Sequence, residues 1–371
     1  MIFGVILAIL LSILFVFYAG YYIFGLLYGK RKKNDNGQEY LPTVSMVTAT
    51  FNEEKIIKRK IENTLKLDYP TDKLEWIFID SSDDETRNII NDFKKKSKLK
   101  IVLFEENERK GLATALNKGY ELATGEVVVK SDCDILLNEK AVREIVKPFS
   151  DPNVGAVSGA INIINQANLE IGYRSIFERL RLAEANLDST YLFNPFSAFR
   201  KEAIQPIDPK SVADDAELAL KIRKKDYRTV YAPEAISYEK SPTSIRERIK
   251  QKSRRAQGHI RLISQNLRLL LNPKYGKFGT IIFPANFFMM IISPWLMILT
   301  LFIGFLYLAS LFGILVSSII SFIFIVLIIA IYLLSRPAMV AGFLDSQLNL
   351  VVGFAKLAIK GPDFKWAKDK R

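Results

Sequence analysis

Three stretches of this chain are apolar almost without interruption, and the region between the first two reads differently. Residues 1–28, 280–306 and 310–334 are nearly uncharged, and each is long enough to cross a bilayer as a helix. From about 40 to 275 the apolar residues come in short runs separated by polar turns, as in one globular domain with a full core. Residues 43–50, 74–79 and 100–104 read as strands, as does the run Glu126 to Ser131 with its apolar centre. Between them, helical spacing runs through Ile56, Ile57, Ile61 and Leu65, then from Glu85 to about Lys96, then from Lys110-Gly111-Leu112 to about Leu122. Phe51-Asn52-Glu53-Glu54 and Ser81-Ser82-Asp83-Asp84 offer cap residues for the first two of these helices. Strands alternating with helices predict an α/β fold with a mostly parallel central sheet and right-handed crossovers.

The chain has 371 residues, 49% of them hydrophobic, and a net charge of +13. Residues 1–28 lack the basic segment that precedes a cleaved signal core, and the run is longer than such a core, so a transmembrane helix (1–29) is expected. The cluster Lys30-Arg31-Lys32-Lys33 follows it, which places the region after residue 30 in the cytoplasm. The spans within 280–334 then form a hairpin that turns near Leu311-Phe312-Gly313, with Arg336 returning to the cytoplasmic side. Residues 337–358 would make a fourth span but for Asp345, Gln347 and Asn349, and a fourth crossing would export the basic tail. An interfacial helix followed by a cytoplasmic tail, 337–371, fits better. The expected product is a multi-pass protein of the plasma membrane with a cytoplasmic domain. Its positive charge suits lipid headgroups and phosphorylated ligands; nucleic acid is excluded as a partner for a domain tethered at both ends. One cysteine rules out an internal disulfide framework, and one histidine, His259, rules out a multi-His zinc site.

The candidate chemistry lies at strand ends. Asp132-Cys133-Asp134 closes the fourth predicted strand. Residues i and i+2 point to the same side, so both carboxylates face one spot at the carboxyl end of a sheet strand, where ligands bind in open α/β sheets. Two hard oxygen ligands suit Mg²⁺ or Mn²⁺; the alternative is a turn with two solvated aspartates. Cys133 should point the other way, into the packing. Asp80 is placed to accept hydrogen bonds from a base or ribose, or to cap a helix, and Asn52 and Glu53 line the same cleft or cap theirs. Neither a Gly-x-Gly-x-x-Gly nor a Walker motif is present, which disfavours dinucleotide enzymes and phosphate-loop ATPases. The segment 244–268 reads as a basic amphipathic helix at headgroup level, with Gln251 and Arg254 three apart on one face.

The order of motifs resembles the family-2 glycosyltransferases. The likeness runs from Thr48-Ala49-Thr50-Phe51-Asn52-Glu53-Glu54 through Asp80-Ser81-Ser82-Asp83-Asp84 and Lys110-Gly111-Leu112 to Asp132-Cys133-Asp134. It continues through Asn194-Pro195-Phe196-Ser197-Ala198-Phe199-Arg200 and Ala213-Asp214-Asp215-Ala216-Glu217-Leu218, and ends at Gln251-Lys252-Ser253-Arg254-Arg255. Membrane-bound cellulose, hyaluronan and poly-N-acetylglucosamine synthases carry Gln-x-x-Arg-Trp at this last position. The resemblance implies a GT-A-type nucleotide-sugar-binding domain over 40–275, and a metal-dependent inverting enzyme. It implies that Asp80 binds the uracil or other base with Asn52 and Glu53 nearby, and that Lys110 and Asp132 lie close to the nucleotide. Asp132 and Asp134 would hold the cation, Asp215 would be the general base, and Asp214, Gln251, Arg254 and Arg255 would serve the pyrophosphate and acceptor. The donor it implies first is a UDP-sugar. The acceptor would be a lipid-linked or growing glycan.

Arg255 departs from the family pattern by replacing the Trp, and a guanidinium prefers phosphate or carboxylate to a neutral sugar face. Single transfer to polyprenyl phosphate is therefore an alternative to chain extension. A non-catalytic membrane scaffold is another, although such a relic is expected to lose a metal carboxylate or the base, and none is missing.

Overall fold

The computed structural model describes residues 2–31, 40–164, 168–240, 244–334 and 338–361. In chain order the elements are α1 (Ile2–Tyr28), β1 (Val44–Thr50), α2 (Ile57–Thr64), β2 (Leu74–Asp80), α3 (Thr86–Lys96), β3 (Lys100–Glu105), α4 (Leu112–Leu122), β4 (Val127–Lys130), β5 (Leu136–Leu137) and α5 (Ala141–Val146). There follow β6 (Val154–Ile163), α6 (Asn168–Leu187), β7 (Ser197–Arg200), α7 (Asp214–Arg223), β8 (Arg228–Glu239), α8 (Ile245–Gln265), α9 (Phe283–Phe287), α10 (Ser293–Leu334) and α11 (Ala338–Lys360). The chain divides into two compact units, one holding residues 31–165 and 184–241, the other 1–30, 166–183 and 242–362.

The first unit is built on an eight-stranded sheet of order β3-β2-β1-β4-β7-β6-β8-β5. Neighbours β3, β2, β1 and β4 are parallel, with Thr50 opposite Asp80 and Val47 opposite Lys130. Every residue of β2 and of β4 is buried, which is why these strands read as continuous apolar runs: helices cover both faces of a parallel sheet. Trp76, Phe78, Met46, Val127 and Val129 form the centre of one face, with Ile57 and Ile61 of α2 and Ile90 of α3 packed over it. On the other face α4 lies so close that a Cβ on Gly119 would sit 2.4 Å from Val47 Cγ1.

The sheet is mixed: four of its seven neighbouring pairs are parallel, β6 with β8 among them, and three are antiparallel. β7 inserts between β4 and β6 and runs antiparallel to both, and β5 pairs antiparallel with β8. β7 is four residues long, Ser-Ala-Phe-Arg, too short to show a period. Its reversed direction puts Ser197 opposite Lys130, at the carboxyl end of β4.

In the second unit, α1 and the helical track Phe278–Leu334 are long and apolar enough to cross a membrane, and their most apolar windows are almost wholly exposed. α10 breaks at Gly313, whose φ of 79° and ψ of 163° leave the helical region, at the expected turn. α8 forms as expected, with Ser244 Oγ accepting from the Glu247 backbone N–H at its start. It packs on α11 through Ala256, Ile260 and Leu350, where Gly353 lets the helices approach. Asp345 of α11 is buried and accepts from Lys252 Nζ of α8 at 2.8 Å and from Tyr332 Oη at 3.0 Å, with Arg248 Nε at 3.7 Å. The polar residues that interrupt this helix in the sequence are thus turned inward: Gln347 and Asn349 are buried as well. Lys32, Lys33, Arg336 and the basic tail from Asp363 lie outside the described residues.

Candidate active site

β4 ends at Lys130, and the next residues turn. Along Ser131 to Ile135 burial alternates: Ser131, Cys133 and Ile135 are buried, while Asp132 and Asp134 are partly open. The two carboxylates are both partly open to solvent, and Cys133 joins the core cluster with Val129 and Ile135. Lys60 of α2 is fully buried beneath this turn. Its ammonium donates to Ser131 Oγ at 2.6 Å and to the Ile135 carbonyl at 2.5 Å. Burial pulls the Lys60 ammonium down to about 8, against the opposing pull of Cys133, Asp132 and Asp134.

Lys130 is buried too, and its side chain reaches the start of α7. Nζ lies 2.6 Å from Asp214 Oδ2, 2.8 Å from both oxygens of Asp215 and 3.7 Å from Asp132 Oδ1. Ser197 Oγ donates to Asp215 Oδ1 at 3.3 Å. Burial alone would lower the Lys130 ammonium, but Asp132, Asp214 and Asp215 override it and hold it well above the ordinary lysine range. Burial raises the Asp215 carboxyl, Asp214 adds to that, and Lys130 opposes it. Burial likewise raises Asp132 to about 6, with Lys130 opposing and Asp134, Asp214 and Glu239 adding to the rise. Crowded, desolvated carboxylates around one ammonium behave this way.

Asp214 is not the helix cap of α7. It is instead the first residue of α7, the preceding Ala213 makes no side-chain cap, and the Asp214 carboxylate is engaged by Lys130. The same holds for Asn52: φ is 55°, its backbone N–H donates to Ser82 Oγ, and its Oδ1 accepts from the Asp83 N–H. Asn52 thus ties the end of β1 to the loop after β2, and the Glu53 N–H does the same through Thr86 Oγ1.

Comparison with known proteins identifies the family. The sequence model described as "Glycosyl transferase family 2" matches residues 45–207, and that of "Glycosyl transferase family group 2" matches 127–336, more than half the chain. The chain is a family-2 glycosyltransferase. It is 30% identical over 225 residues to a poly-beta-1,6-N-acetyl-D-glucosamine synthase of Staphylococcus epidermidis, an alignment covering 58% of this chain and 54% of the relative. It is also 30% identical over 247 residues to "Probable glycosyltransferase YdaM" of Bacillus subtilis, covering 62% of this chain and 57% of that protein. The chain therefore spans little more than half the length of these curated relatives. A solved mannosyltransferase of Pyrobaculum calidifontis, in complex with GDP-Man and Mn²⁺, superposes with a TM-score of 0.79 at 27% identity, over 95% of this chain and 99% of that one. The fold of the glycosyltransferase is accordingly GT-A-like, with a mixed sheet.

Within this glycosyltransferase the other expected residues are distributed as follows. Asp80 ends β2 and is completely buried. Its carboxylate accepts from Thr50 Oγ1 and Ser82 Oγ, both at 2.7 Å, from the Ser82 N–H at 3.3 Å and from Arg87 Nε at 3.0 Å. A direct contact to a base would require one of these donors to yield. Lys110 is exposed in the loop before α4, and its charge acts on Glu106. Gln251, Arg254 and Arg255 lie on α8 in the second unit, the first two partly covered and Arg255 exposed. The residues the sequence reading overlooked are Lys60, Lys130 and Ser197. Lys130 carried a signal, since it is the one charged residue in the buried strand Val-Val-Val-Lys. Lys60 did not, because it sits among Lys58 and Arg59 on a short polar helix.

Proposed function

We propose that the enzyme transfers a sugar from a nucleoside-diphosphate sugar to a lipid-linked or growing glycan at the cytoplasmic face of the membrane, with inversion at the anomeric carbon. The observation that carries this reading is the shared ammonium: Lys130 joins Asp215, the family's base position, to Asp132 of the aspartate pair. Asp132 and Asp134 are the residues to hold Mg²⁺ or Mn²⁺. Asp132 and Asp134 are hard oxygen donors, partly open, beside the Lys130 cluster, which suits a divalent cation. Among the described residues no three His, Cys, Asp or Glu side chains converge as ligands. The cation would therefore share its remaining positions with water and diphosphate oxygens, as Mg²⁺ does in phosphate sites. When bound, it supplies charge neutralisation for the departing diphosphate.

Asp215 takes the proton of the acceptor hydroxyl on the face opposite the leaving group, as inversion requires. Its carboxyl, raised toward the working pH range, is suited to that transfer. Lys130 and Ser197 aim it. Asp80 organises the loop 81–87 that would receive the base, with Asn52 and Glu53 bracing that loop. Gln251, Arg254 and Arg255 serve the pyrophosphate and acceptor. Three crossings, by α1 and by the two halves of the helix broken at Gly313, with α11 at the interface, complete the layout.

A second reading, single transfer to polyprenyl phosphate, is favoured by Arg255 standing where synthases have Trp. For the donor, a UDP-sugar is what the family resemblance implies first, whereas GDP-Man is the molecule in the solved mannosyltransferase complex. The test is a screen of UDP- and GDP-sugars on the purified full chain with Mn²⁺ or Mg²⁺, reading released nucleoside diphosphate. Release should require the metal and vanish in Asp134→Asn. Asp215→Asn should bind donor but lower transfer by roughly 10²-fold or more. Metal-independent release, or loss of donor binding in Asp215→Asn, would overturn these assignments.

A further inference from the structure

The turn that carries the aspartate pair is held from below by one face of α2. Lys60 and Asn63 are three residues apart and so project together. Lys60 Nζ bonds the residues that flank the pair, Ser131 on one side and Ile135 on the other. Asn63 continues the attachment: its Nδ2 donates to the Leu137 carbonyl and its Oδ1 accepts from the Leu137 N–H, both at 2.8 Å. A further brace comes from β1, where Thr48 Oγ1 donates to the Ser131 carbonyl at 2.9 Å while accepting from Trp76 Nε1.

A lysine with no exposed surface is a costly residue at a core position. Desolvating an ammonium is unfavourable, and a Met or Leu of similar volume would fill this buried position without that cost. What the ammonium supplies that an apolar side chain cannot is two donors at fixed positions. Both fall on the loop of the aspartate pair.

We infer that Lys60 is a positioning residue for the metal loop, holding Asp132 and Asp134 at the spacing a divalent cation needs. The inference rests on the proposed function of that pair. Two effects of the side chain oppose each other, and this makes the sign decisive. As a bare positive charge near Asp132 and Asp134, Lys60 would weaken cation binding, so its removal would tighten it. As a positioning group, its removal loosens the loop and weakens binding. Groups that hydrogen-bond metal ligands directly change metal affinity about 10- to 100-fold; Lys60 acts one residue further out, on Ser131 and Ile135, so an effect at the low end of that range is expected.

The experiment is Mn²⁺ titration of the purified full chain by electron paramagnetic resonance, in the presence of UDP and separately of GDP, with thermal unfolding recorded in parallel. Lys60→Met should weaken Mn²⁺ binding about tenfold while the protein still unfolds cooperatively. Ser131→Ala, which removes one acceptor and leaves the charge, should weaken it by less. The double variant should bind no worse than Lys60→Met, since both changes act through the same bond. Mn²⁺ binding that is unchanged or tighter in Lys60→Met overturns the inference. Should Lys60→Met not fold, parental affinity in Ser131→Ala overturns it. Binding that is lost in Asp134→Asn yet parental in Lys60→Met rejects only the positioning role. Absence of Mn²⁺ binding in the parent rejects the proposed metal pair as well.

Discussion

Lys130 places its ammonium 2.8 Å from each oxygen of the Asp215 carboxylate, across 85 residues of chain. The contact exists because β7 enters the sheet beside β4 and α7 begins above that junction. It holds the candidate base against Ser197 and keeps Asp214 and Asp132 within reach of the same charge.

Lys130→Met should shift the acid limb of the pH–rate profile to higher pH. The ammonium pulls the Asp215 carboxyl down against burial and Asp214. Without it the carboxyl stays protonated to higher pH, and a base works only when deprotonated. Initial rates of nucleoside diphosphate release across pH 6 to 9, a window of about three units around neutrality, measure the shift. An unmoved profile would remove Lys130 from the role of tuning the base. The variant should also lose roughly 3 kcal/mol of stability, since three carboxylates are left without their shared counterion.

Glu75 predicts acid sensitivity far from the active site. It lies at the start of β2, nearly buried. Oε1 accepts from Ser45 Oγ and from the Thr124 N–H and hydroxyl, and Oε2 pairs with Lys100 Nζ at 2.6 Å. Burial would raise this carboxyl, but Lys100, Ser45 and Thr124 outweigh it and pull it from 4.5 down to about 2. The folded-state value is depressed, so the stabilisation is complete above the unfolded value and is lost as pH falls from about 4.5 through about 2. Its full size is on the order of 3 kcal/mol. Glu75→Gln should flatten the unfolding midpoint against pH below about 4.5, read by thermal unfolding. A variant with the parental acid slope would contradict this.

Asp345→Ala should destabilise the packing of α8 on α11. It strips Lys252 and Arg248 of their buried partner and Tyr332 of its acceptor. A cost of about 3 kcal/mol is expected for an uncompensated buried charge. Lys252→Met combined with Asp345→Leu should recover part of it. Thermal unfolding in detergent measures both.

Arg255→Trp should move the product distribution toward longer chains if the acceptor is a glycan, because an indole offers an apolar platform where a guanidinium favours an anion. Product length and acceptor preference, measured together, check this. No change in either would place Arg255 outside the acceptor site.

What the amino-acid sequence determined by itself is the set of features encoded within a few residues. Apolar-rich runs located β1, β2, β3 and β4 to within about two residues; β2 and β4 lack polar alternation at their centres because both faces are buried, whereas β3 is partly exposed. Cys133 lies in the core as alternation expected, while Asp132 and Asp134 stay partly open on a turn rather than on an extended strand. The break at Gly313 and the polar start of α8 were equally local. Motif order then assigned the family. Tertiary structure decided the rest. The insertion of β7, which makes the sheet mixed, had no readable period in four residues. Asp80 looked like an accessible or capping carboxylate and Asp214 like a pyrophosphate or acceptor group, and only packing shows one sealed under Arg87 and the other drawn to Lys130. Lys60 and Ser131, Lys130 and Asp215, Glu75 and Lys100 pair across tens of residues. Strand order brings them together, and strand order follows from burying all the apolar faces at once, a condition on the whole chain that no short window of residues contains.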